Sequence, residues 1–358
     1  MLWRGDFQNA RQLLQALIRR IEAKTDVKAK PPKKVQIVSR MAYALPGSAT
    51  SPSVAALLPV DAFNLQRQTQ ARRAQTLAML LIPLERDFTI PLRRAPDLRQ
   101  ACEEAYGSEN DSSAGPSVVS LRELLGLIGA HEWRKKGIEV PGFGSHGLRI
   151  HPHYGVFAPI RSEYVGLVAE APLPTQELAF DIGTGTGVLA AVLARRGVVR
   201  VVATDQDPRA LVCARENLAR LRLAGQVEVI QADLFPAGRA PLVVCNPPWL
   251  PLQPTSAIEA AVYDPDSRML LGFINGLAAH LTPEGEGWLV LSDLAEHLGL
   301  RSRAELLAAF DAAGLEVIGR SEVRPQHPRA SDASDPLHAM RAAERTSLWR
   351  LAIRRVEA

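Results

Sequence analysis

The feature that most constrains the fold of this chain is a regular alternation of strand and helix patterns from residue 178 onwards. LAFDIGTGTG predicts a buried strand that ends in a glycine-rich turn, and VLAAVLARRG predicts the helix that follows it. Three more strand patterns come next, at VVRVVATD (198–205), VEVIQAD (227–233) and PLVVCN (241–246). Strands that alternate with helices in this way predict an α/β fold with a doubly wound, parallel sheet.

The part of the chain before this alternation has the pattern of a separate, smaller domain. A length of 358 residues exceeds what one hydrophobic core usually organises. Apolar residues at helical spacing predict helices over 7–24 and 64–81, and Ser120 with Glu123 forms a capping box that predicts a third helix after it. We therefore expect a mainly helical domain over residues 1–145 and the α/β domain over residues 146–358.

Composition and cysteine content indicate a globular protein of a reducing compartment. The chain is 47% hydrophobic and 22% charged, which is enough apolar material for a sizeable core. The three cysteines form no CxxC pair, which argues against a disulfide framework and against a cysteine-based zinc site. The first twenty residues lack the apolar stretch of a secretory signal, and no run reaches the roughly 20 apolar residues of a membrane span. We expect a cytoplasmic protein without membrane association.

Positive charge is concentrated near the start of the chain. Residues 1–40 hold ten Lys or Arg against three Asp or Glu, a net charge of +7, so that the remainder carries −3 of the total of +4. A basic segment attracts phosphates or an acidic partner, but such a run is also typical of a solvated surface. Nucleic acid is therefore one possible partner.

Acidic residues follow the first three strands of the alternation. Asp181 closes the first strand directly before the glycine turn, in which Gly183, Gly185 and Gly187 permit close backbone approach to a nucleotide-like ligand. Asp205 closes the second strand, where a carboxylate can accept both hydroxyls of a ribose, and Asp233 follows the third. Because the carboxyl ends of parallel strands meet at one edge of the sheet, we expect these side chains in one site, whose acidity suits a cationic ligand better than a pyrophosphate.

The fourth strand ends in a tetrapeptide with unusual chemistry. Asn246, Pro247, Pro248 and Trp249 follow PLVVC at the same expected edge. The prolines fix the backbone and remove its N–H groups, so carbonyl oxygens and the Asn246 amide oxygen can accept from an NH2 group. Trp249 offers a flat face for stacking. These residues predict a catalytic site for a planar amide or amine acceptor.

Together, DIGTGTG, ATD at Asp205 and AD at Asp233 resemble the Rossmann-like S-adenosylmethionine-dependent methyltransferases. The resemblance implies S-adenosylmethionine as the cofactor, with the three glycines at its methionine part and Asp205 at its ribose. It also implies Gln206 at the adenine face, Asp233 at the adenine edge and Leu234 as a further cofactor-binding residue. The residues beyond 151 would then form the methyltransferase domain.

The tetrapeptide resembles the (N/D)PP(Y/F/W) signature of amino-methyltransferases that act on glutamine amides or on base amines. Within that group, GVFAPIRSEYVGLV (155–168) is similar to the segment that precedes the glycine loop in release-factor glutamine methyltransferases. That similarity implies substrate-binding roles for Arg161 and Glu163.

Several functions remain open on this evidence. We expect methylation of a protein glutamine, with the first domain recognising the partner. The alternatives are methylation of an exocyclic amine in RNA or DNA, methylation of a small molecule, and an inactive cofactor-binding scaffold. No metal site is expected, since His151 and His153 lack a third ligand in the sequence nearby.

Overall fold

The computed structural model describes residues 1–28, 58–107, 115–140, 147–254, 262–326, 332 and 335–355. Contacts divide the chain into two compact units. The first comprises residues 1–99 and 109–126, and the second comprises residues 100–108 and 127–358. The domain boundary at residue 145 stays a prediction.

The first unit contains two long helices and a two-stranded sheet. Helices α1 (Phe7–Lys28) and α2 (Pro59–Ala78) contact each other, and β1 (Leu81–Leu84) pairs antiparallel with β2 (Ser117–Ser120). Apolar residues at helical spacing explain α1, whose Phe7 and Leu14 are buried. The prediction of helices in this region is confirmed, although α2 begins five residues earlier than its apolar pattern indicated.

The boundaries between the two units fall within two helices, α3 (Arg99–Tyr106) and α4 (Leu121–Lys136). The Ser120 hydroxyl accepts a hydrogen bond of 3.0 Å from the backbone N–H of Glu123 at the start of α4. This bond satisfies one of the four N–H groups that a helix start leaves without a partner. The helix start predicted from the sequence is thus confirmed.

The second unit is built on a seven-stranded sheet. Its helices and strands are β3 (Ile138–Val140), β4 (Leu148–Ile150), α5 (Glu163–Glu170), β5 (Leu178–Ile182), α6 (Val188–Arg195), β6 (Arg200–Asp205), α7 (Pro208–Arg220), β7 (Val227–Gln231), β8 (Ala240–Cys245), α8 (Arg268–His280), β9 (Leu281–Ser292), α9 (Leu294–His297), α10 (Arg303–Ala312), β10 (Leu315–Val323), α11 (His338–Ala343) and β11 (Thr346–Ile353). The strand order is β10-β11-β9-β8-β5-β6-β7, and β3 pairs with β4 outside it.

The directions of the strands determine which residues meet at the carboxyl edge of the sheet. Strands β9, β8, β5, β6 and β7 pair in parallel, whereas β11 runs antiparallel between β9 and β10. The start of β11 therefore lies beside the end of β9, with Thr346 opposite Ser292. Residues that precede β11 come to the same edge as residues that follow the parallel strands.

Two apolar cores cover the two faces of this sheet. One contains the buried faces of α5 and α6, with Tyr164 and Trp288, and the other contains those of α8 and α10, with Phe273 and Phe310. A mostly parallel sheet with helices on both faces is the doubly wound arrangement that the sequence predicts. The predicted α/β fold with a Rossmann-like sheet is confirmed. Among the described residues, no helix is long and apolar enough to cross a membrane.

Candidate active site

A cavity of about 750 Å³ opens at the carboxyl edge of the parallel strands. It is lined by the loop after β5, the ends of β6, β7 and β8, and residues next to α5 and α8. Most of the residues predicted from the sequence lie in its wall: Arg161, Asp181, Gly183, Gly185, Asp205, Gln206, Asp233, Leu234, Asn246, Pro247, Pro248 and Trp249. Gly187 and Glu163 are not in the wall formed by the described residues.

Asp181 supports the glycine loop through hydrogen bonds. Its Oδ2 atom accepts hydrogen bonds from the Thr184 hydroxyl at 2.6 Å and from the Ala190 backbone N–H at 3.0 Å. The side chain is buried, and burial raises its pKa to about 6. Two of its hydrogen bonds therefore hold the loop and the start of α6, which is a supporting task within the predicted cofactor site.

The three glycines of the loop have left-handed backbone angles, which favour glycine. A methyl group on Gly183 would lie 2.2 Å from the Met269 side chain, whereas one on Gly185 would meet open space. One on Gly187 would lie 3.3 Å from the Cα of Ala214 in α7. Gly187 thus permits α6 to begin close against α7. Because Gly187 lies outside the cavity wall, its role is in the packing of these two helices.

We expect Gly187→Ala to destabilise the domain more than Gly314→Ala does. Both glycines have positive φ, 79° and 70°, but only Gly187 has backbone atoms where the methyl group would go. The strained angle should cost about 1 kcal/mol in each variant, and crowding should add about another 1 kcal/mol at Gly187. Urea unfolding of the two variants measures the difference, and equal losses would contradict the packing task.

Asp205 joins the loop to the end of β6. Its Oδ2 atom accepts from the Gly185 N–H at 3.0 Å and its Oδ1 atom accepts from the Asp207 N–H at 2.9 Å. Burial raises the pKa of this carboxyl group. Asp207 itself caps α7 by accepting from the Arg209 N–H. Asp205 is thus aimed into the cavity with part of its acceptor capacity free.

The end of β7 supplies a more exposed wall. Asp233 accepts from Arg268 at 2.7 Å, and both side chains are largely solvent-exposed. Leu234 has a φ of 73°, which is unusual for a residue with a side chain, and its carbonyl accepts from the Thr204 hydroxyl at 2.5 Å. The constrained Leu234 backbone is a sign of a functional position.

The tetrapeptide after β8 is held by an internal hydrogen bond. The indole N–H of Trp249 donates to the Asn246 Oδ1 atom at 3.0 Å. The expectation of a fully free amide oxygen therefore needs correction, because one of its two lone pairs is already used. One acceptor site remains on Asn246, and its direction is set by Trp249.

Arg161 lies over the Trp249 ring, with its guanidinium carbon 5.9 Å from the centre of the ring. It is held by two hydrogen bonds to Glu344, a fully buried carboxylate just before β11. Glu163 contributes to the start of α5 instead, and its Oε1 atom is buried without a hydrogen-bond partner. The two residues predicted to bind substrate are therefore separated by the structure, with only Arg161 in the cavity wall.

Two residues that sequence reasoning missed complete this edge. Asp264 is buried in the cavity wall, and its two carboxylate oxygens accept from the N–H groups of Met269 and Leu270 at the start of α8. It is preceded and followed by irregular backbone, so no periodic pattern points to it. Glu344 lies in a polar stretch before the last strand, where only the strand order shows its place.

The cavity fits a positively charged ligand. Each arginine in its wall pairs with a carboxylate, as Arg161 with Glu344, Arg209 with Asp207, and Arg268 with Asp233. Asp181, Asp205 and Asp264 form no ion pair with any residue in the described ranges. Buried and half-buried carboxylates that form no ion pair favour a ligand that brings a positive charge. A sulfonium compound with an amino group and a ribose meets this demand.

His151 and His153, for which the sequence predicts no metal site, each have a protein partner. His151 Nδ1 lies 2.7 Å from the Arg134 carbonyl, and His153 Nε2 lies 3.0 Å from Glu216. Across the described parts of the chain, no group of three or more His, Cys, Asp or Glu could hold a metal ion. The segment between β10 and β11 contains further polar residues, among them His327, Arg329 and His338. His327 and Arg329 lie outside the described residues, whereas His338 begins α11.

The family model for the methyltransferase small domain matches residues 147–313, which include the glycine loop, Asp205 and the tetrapeptide. This part of the chain is similar to the methyltransferase small domain. The resemblance to methyltransferases is thereby confirmed, and the match begins close to the domain start that the sequence indicated. The predicted catalytic and binding residues all lie inside the matched range.

Relatives of this methyltransferase domain have different substrates in their names. A release factor glutamine methyltransferase of Cereibacter sphaeroides is 31% identical over 169 residues, 43% of this chain and 58% of that protein. A ribosomal protein L11 methyltransferase of Pelotomaculum thermopropionicum is 38% identical over 146 residues, 40% of this chain and 39% of that protein. A tRNA1(Val) (adenine(37)-N6)-methyltransferase of Shewanella amazonensis is 28% identical over 170 residues, 43% of this chain and 73% of that protein. The chain spans less than two thirds of the first two relatives.

Proposed function

We propose that this protein transfers a methyl group from S-adenosylmethionine to a planar NH2 nitrogen, and that its acceptor is a glutamine amide in a protein. The observation that carries the proposal is that Asn246–Trp249 share one cavity with the glycine loop and Asp205. A single cavity can hold a methyl donor and an NH2 acceptor in contact. Such positioning is worth roughly 7 to 11 kcal/mol of a reaction barrier.

The cofactor would occupy the acidic side of the cavity. Gly183 and Gly185 permit close approach of its amino-acid part, and Asp205 accepts from its ribose hydroxyls. Gln206, Asp233 and Leu234 line the place of the adenine ring. Its sulfonium supplies the electrophilic methyl carbon, and the unpaired aspartates stabilise the positive charge.

The acceptor would occupy the side formed by the tetrapeptide. The remaining lone pair of Asn246 Oδ1 accepts from one N–H of the acceptor, and a carbonyl next to the prolines accepts from the other. Both bonds localise the nitrogen lone pair, which an amide otherwise delocalises, and aim it at the methyl carbon. The nitrogen attacks as the carbon–sulfur bond breaks, and it releases its extra proton to water after transfer.

The charges of the site favour a protein acceptor over a nucleic acid. The arginines in the wall are all neutralised by carboxylates, and Asp181, Asp205 and Asp264 add negative charge. A wall whose arginines are all paired offers no free cation to a phosphate group, whereas an uncharged glutamine amide needs none. The basic excess over residues 1–40 and the tRNA-methylating relative support nucleic acid as the second candidate.

The test uses methyl-labelled S-adenosylmethionine with three purified acceptors: a bacterial release factor, ribosomal protein L11 and tRNA. We expect label in the release factor, on a glutamine side chain after proteolysis. Label in tRNA with a steep dependence on salt would replace the proposal by the second candidate. Binding of the cofactor without label in any protein or nucleic acid of the source cell's lysate would overturn both.

Trp249 should contribute to acceptor binding and to the direction of Asn246. Trp249→Phe keeps a ring and loses the hydrogen bond to Asn246, so turnover should fall about fivefold while the acceptor KM stays near its original value. Trp249→Ala should also raise that KM about tenfold. Steady-state kinetics separates the two effects, and equal KM values in both variants would contradict stacking.

Affinity for S-adenosylmethionine should fall as pH is lowered through 6. Burial raises the pKa of Asp181 to about 6, so the carboxylate is ionised above this pH and neutral below it. The cation binds the ionised form, which predicts an affinity loss of about tenfold from pH 7 to pH 5. Calorimetry at each pH measures the affinity of wild type and of Asp181→Asn for S-adenosylmethionine. Protonation of the ligand affects both proteins equally, so it cancels in the ratio of the two affinities. A ratio that is constant with pH would contradict the assignment.

A further inference from the structure

Glu344 is a buried carboxylate for which the proposed reaction has no task. Its side chain has no exposed surface, while that of Arg161 is 23% exposed. Arg161 Nη1 donates to Glu344 Oε1 at 3.1 Å, and Nη2 donates to Oε2 at 3.3 Å. The Ser292 hydroxyl donates to Oε1 at 2.7 Å. Three donors thus fix one carboxylate, and among the described residues only Arg161 forms an ion pair with it.

This arrangement fixes the position of Arg161. A two-pronged pair between a guanidinium and a carboxylate restricts the plane of the guanidinium as well as its distance. Glu344 cannot follow a moving Arg161, because it is buried and also held by Ser292 at the end of β9. The guanidinium is therefore held where it lines the cavity.

The guanidinium of Arg161 contacts the acceptor side of the cavity through Trp249. Arg161 lies over the Trp249 ring at 5.9 Å, within the range of a cation–π interaction. Trp249 in turn donates to Asn246 Oδ1 at 3.0 Å. A continuous set of contacts thus leads from Ser292 and Glu344, through Arg161 and Trp249, to the amide oxygen that accepts from the substrate.

We propose that Glu344 is a positioning residue that holds Arg161 against Trp249 and thereby sets the direction of Asn246. Glu344 itself does not touch the acceptor, since it has no surface in the cavity. The proposal rests on the proposed function, because it assigns a task within the same site. It also explains why Arg161, although it lines the cavity, offers no free charge to an anionic substrate.

The kinetic test compares wild type with Glu344→Gln, using the release factor as acceptor. The amide keeps the shape of the side chain and removes the charge that holds Arg161. We expect the acceptor KM to rise about tenfold and turnover to fall about tenfold, which is the usual effect of losing a charged hydrogen bond. The dissociation constant of S-adenosylhomocysteine, measured by calorimetry, should change less than about twofold, because the cofactor side does not contact Arg161.

A second readout does not depend on activity. In protein labelled with ¹⁵N, the indole N–H resonance of Trp249 is assigned as the one that disappears in Trp249→Phe. We expect Glu344→Gln to shift this resonance and to leave those of the other four tryptophans unchanged. A shifted resonance with no methylation of any acceptor would mean that the proposed function fails while the positioning stands.

The matched control is Glu286→Gln. Glu286 accepts two hydrogen bonds from Arg350 and one from the Trp288 indole, so it also combines a two-pronged arginine pair with a third donor, away from the cavity. This variant should lose stability without a change in acceptor KM. If Glu344→Gln does not fold, Ser292→Ala weakens the same contacts more mildly and should move the same two readouts.

The outcomes separate positioning from plain structural support. A merely structural ion pair predicts lower thermal stability with an unchanged acceptor KM and an unmoved Trp249 resonance in every folded variant, and this result would overturn the proposal. Effects on both readouts in the Glu344 variant, absent in the Glu286 control, would support it.

Discussion

Asn246→Ala should lower turnover about a hundredfold and leave the affinity for S-adenosylmethionine nearly unchanged. The variant removes the side-chain oxygen that accepts from the Trp249 indole and that, in the proposed function, also accepts from the acceptor NH2. Without it the nitrogen lone pair is neither localised nor aimed, and a misplacement of about 1 Å can cost about a hundredfold in rate. Cofactor binding is spared, because the glycine loop and Asp205 do not depend on this side chain.

Single-turnover kinetics measures the transfer step, and calorimetry measures cofactor affinity. Asn275→Ala is the matched control, since Asn275 is an exposed residue of α8 outside the cavity wall. Full activity of the Asn246 variant would refute the acceptor site. A parallel loss of cofactor affinity would show that Asn246 supports the cavity as a whole.

Asp205→Ala should weaken S-adenosylmethionine binding about a hundredfold. Hydrogen bonds from the two ribose hydroxyls to a half-buried carboxylate are of the charged kind, worth about 1.5 to 3 kcal/mol each. The variant also frees the Gly185 N–H, which loosens the loop that receives the methionine part. Asp205→Asn keeps an acceptor for Gly185 and should therefore lose less affinity than Asp205→Ala.

Calorimetric titration with S-adenosylhomocysteine measures the loss without turnover. Asp311→Asn is the control, because Asp311 is an exposed aspartate that pairs with Arg354 on the surface. Affinity within about twofold of wild type in Asp205→Ala would remove Asp205 from the cofactor site. Such a result would leave Asp181 and Asp264 to provide the negative charge.

The cavity explains how one domain type serves relatives with different substrates. The acidic side, from Gly183 to Leu234, requires only a cationic nucleoside and does not depend on the acceptor. The acceptor side is formed by the tetrapeptide and by Arg161. Recognition of the partner beyond the NH2 group then falls to surfaces outside the cavity, which fits relatives that modify a release factor, a ribosomal protein or a tRNA.

Local patterns in the sequence determined the α/β fold and much of the candidate site. The strand that ends at Ile182, the turn after it and the helix from Val188 follow from apolar periodicity and glycine placement, which act between near neighbours. Parallel pairing then brings the ends of β5, β6, β7 and β8 to one edge. For this reason the sequence alone groups Asp205, Asp233 and Asn246.

Only the tertiary structure decided which groups touch. Arg161 meets Glu344 across 183 residues of chain, and that contact depends on β11 entering the sheet beside β9. The close approach of Gly187 to Ala214 depends on how α6 packs against α7, and Asp264 matters only because α8 begins where it does. Local propensity specifies helices, strands and turns, but strand order and helix packing arise from burial of the whole apolar surface, to which distant parts of the chain contribute together.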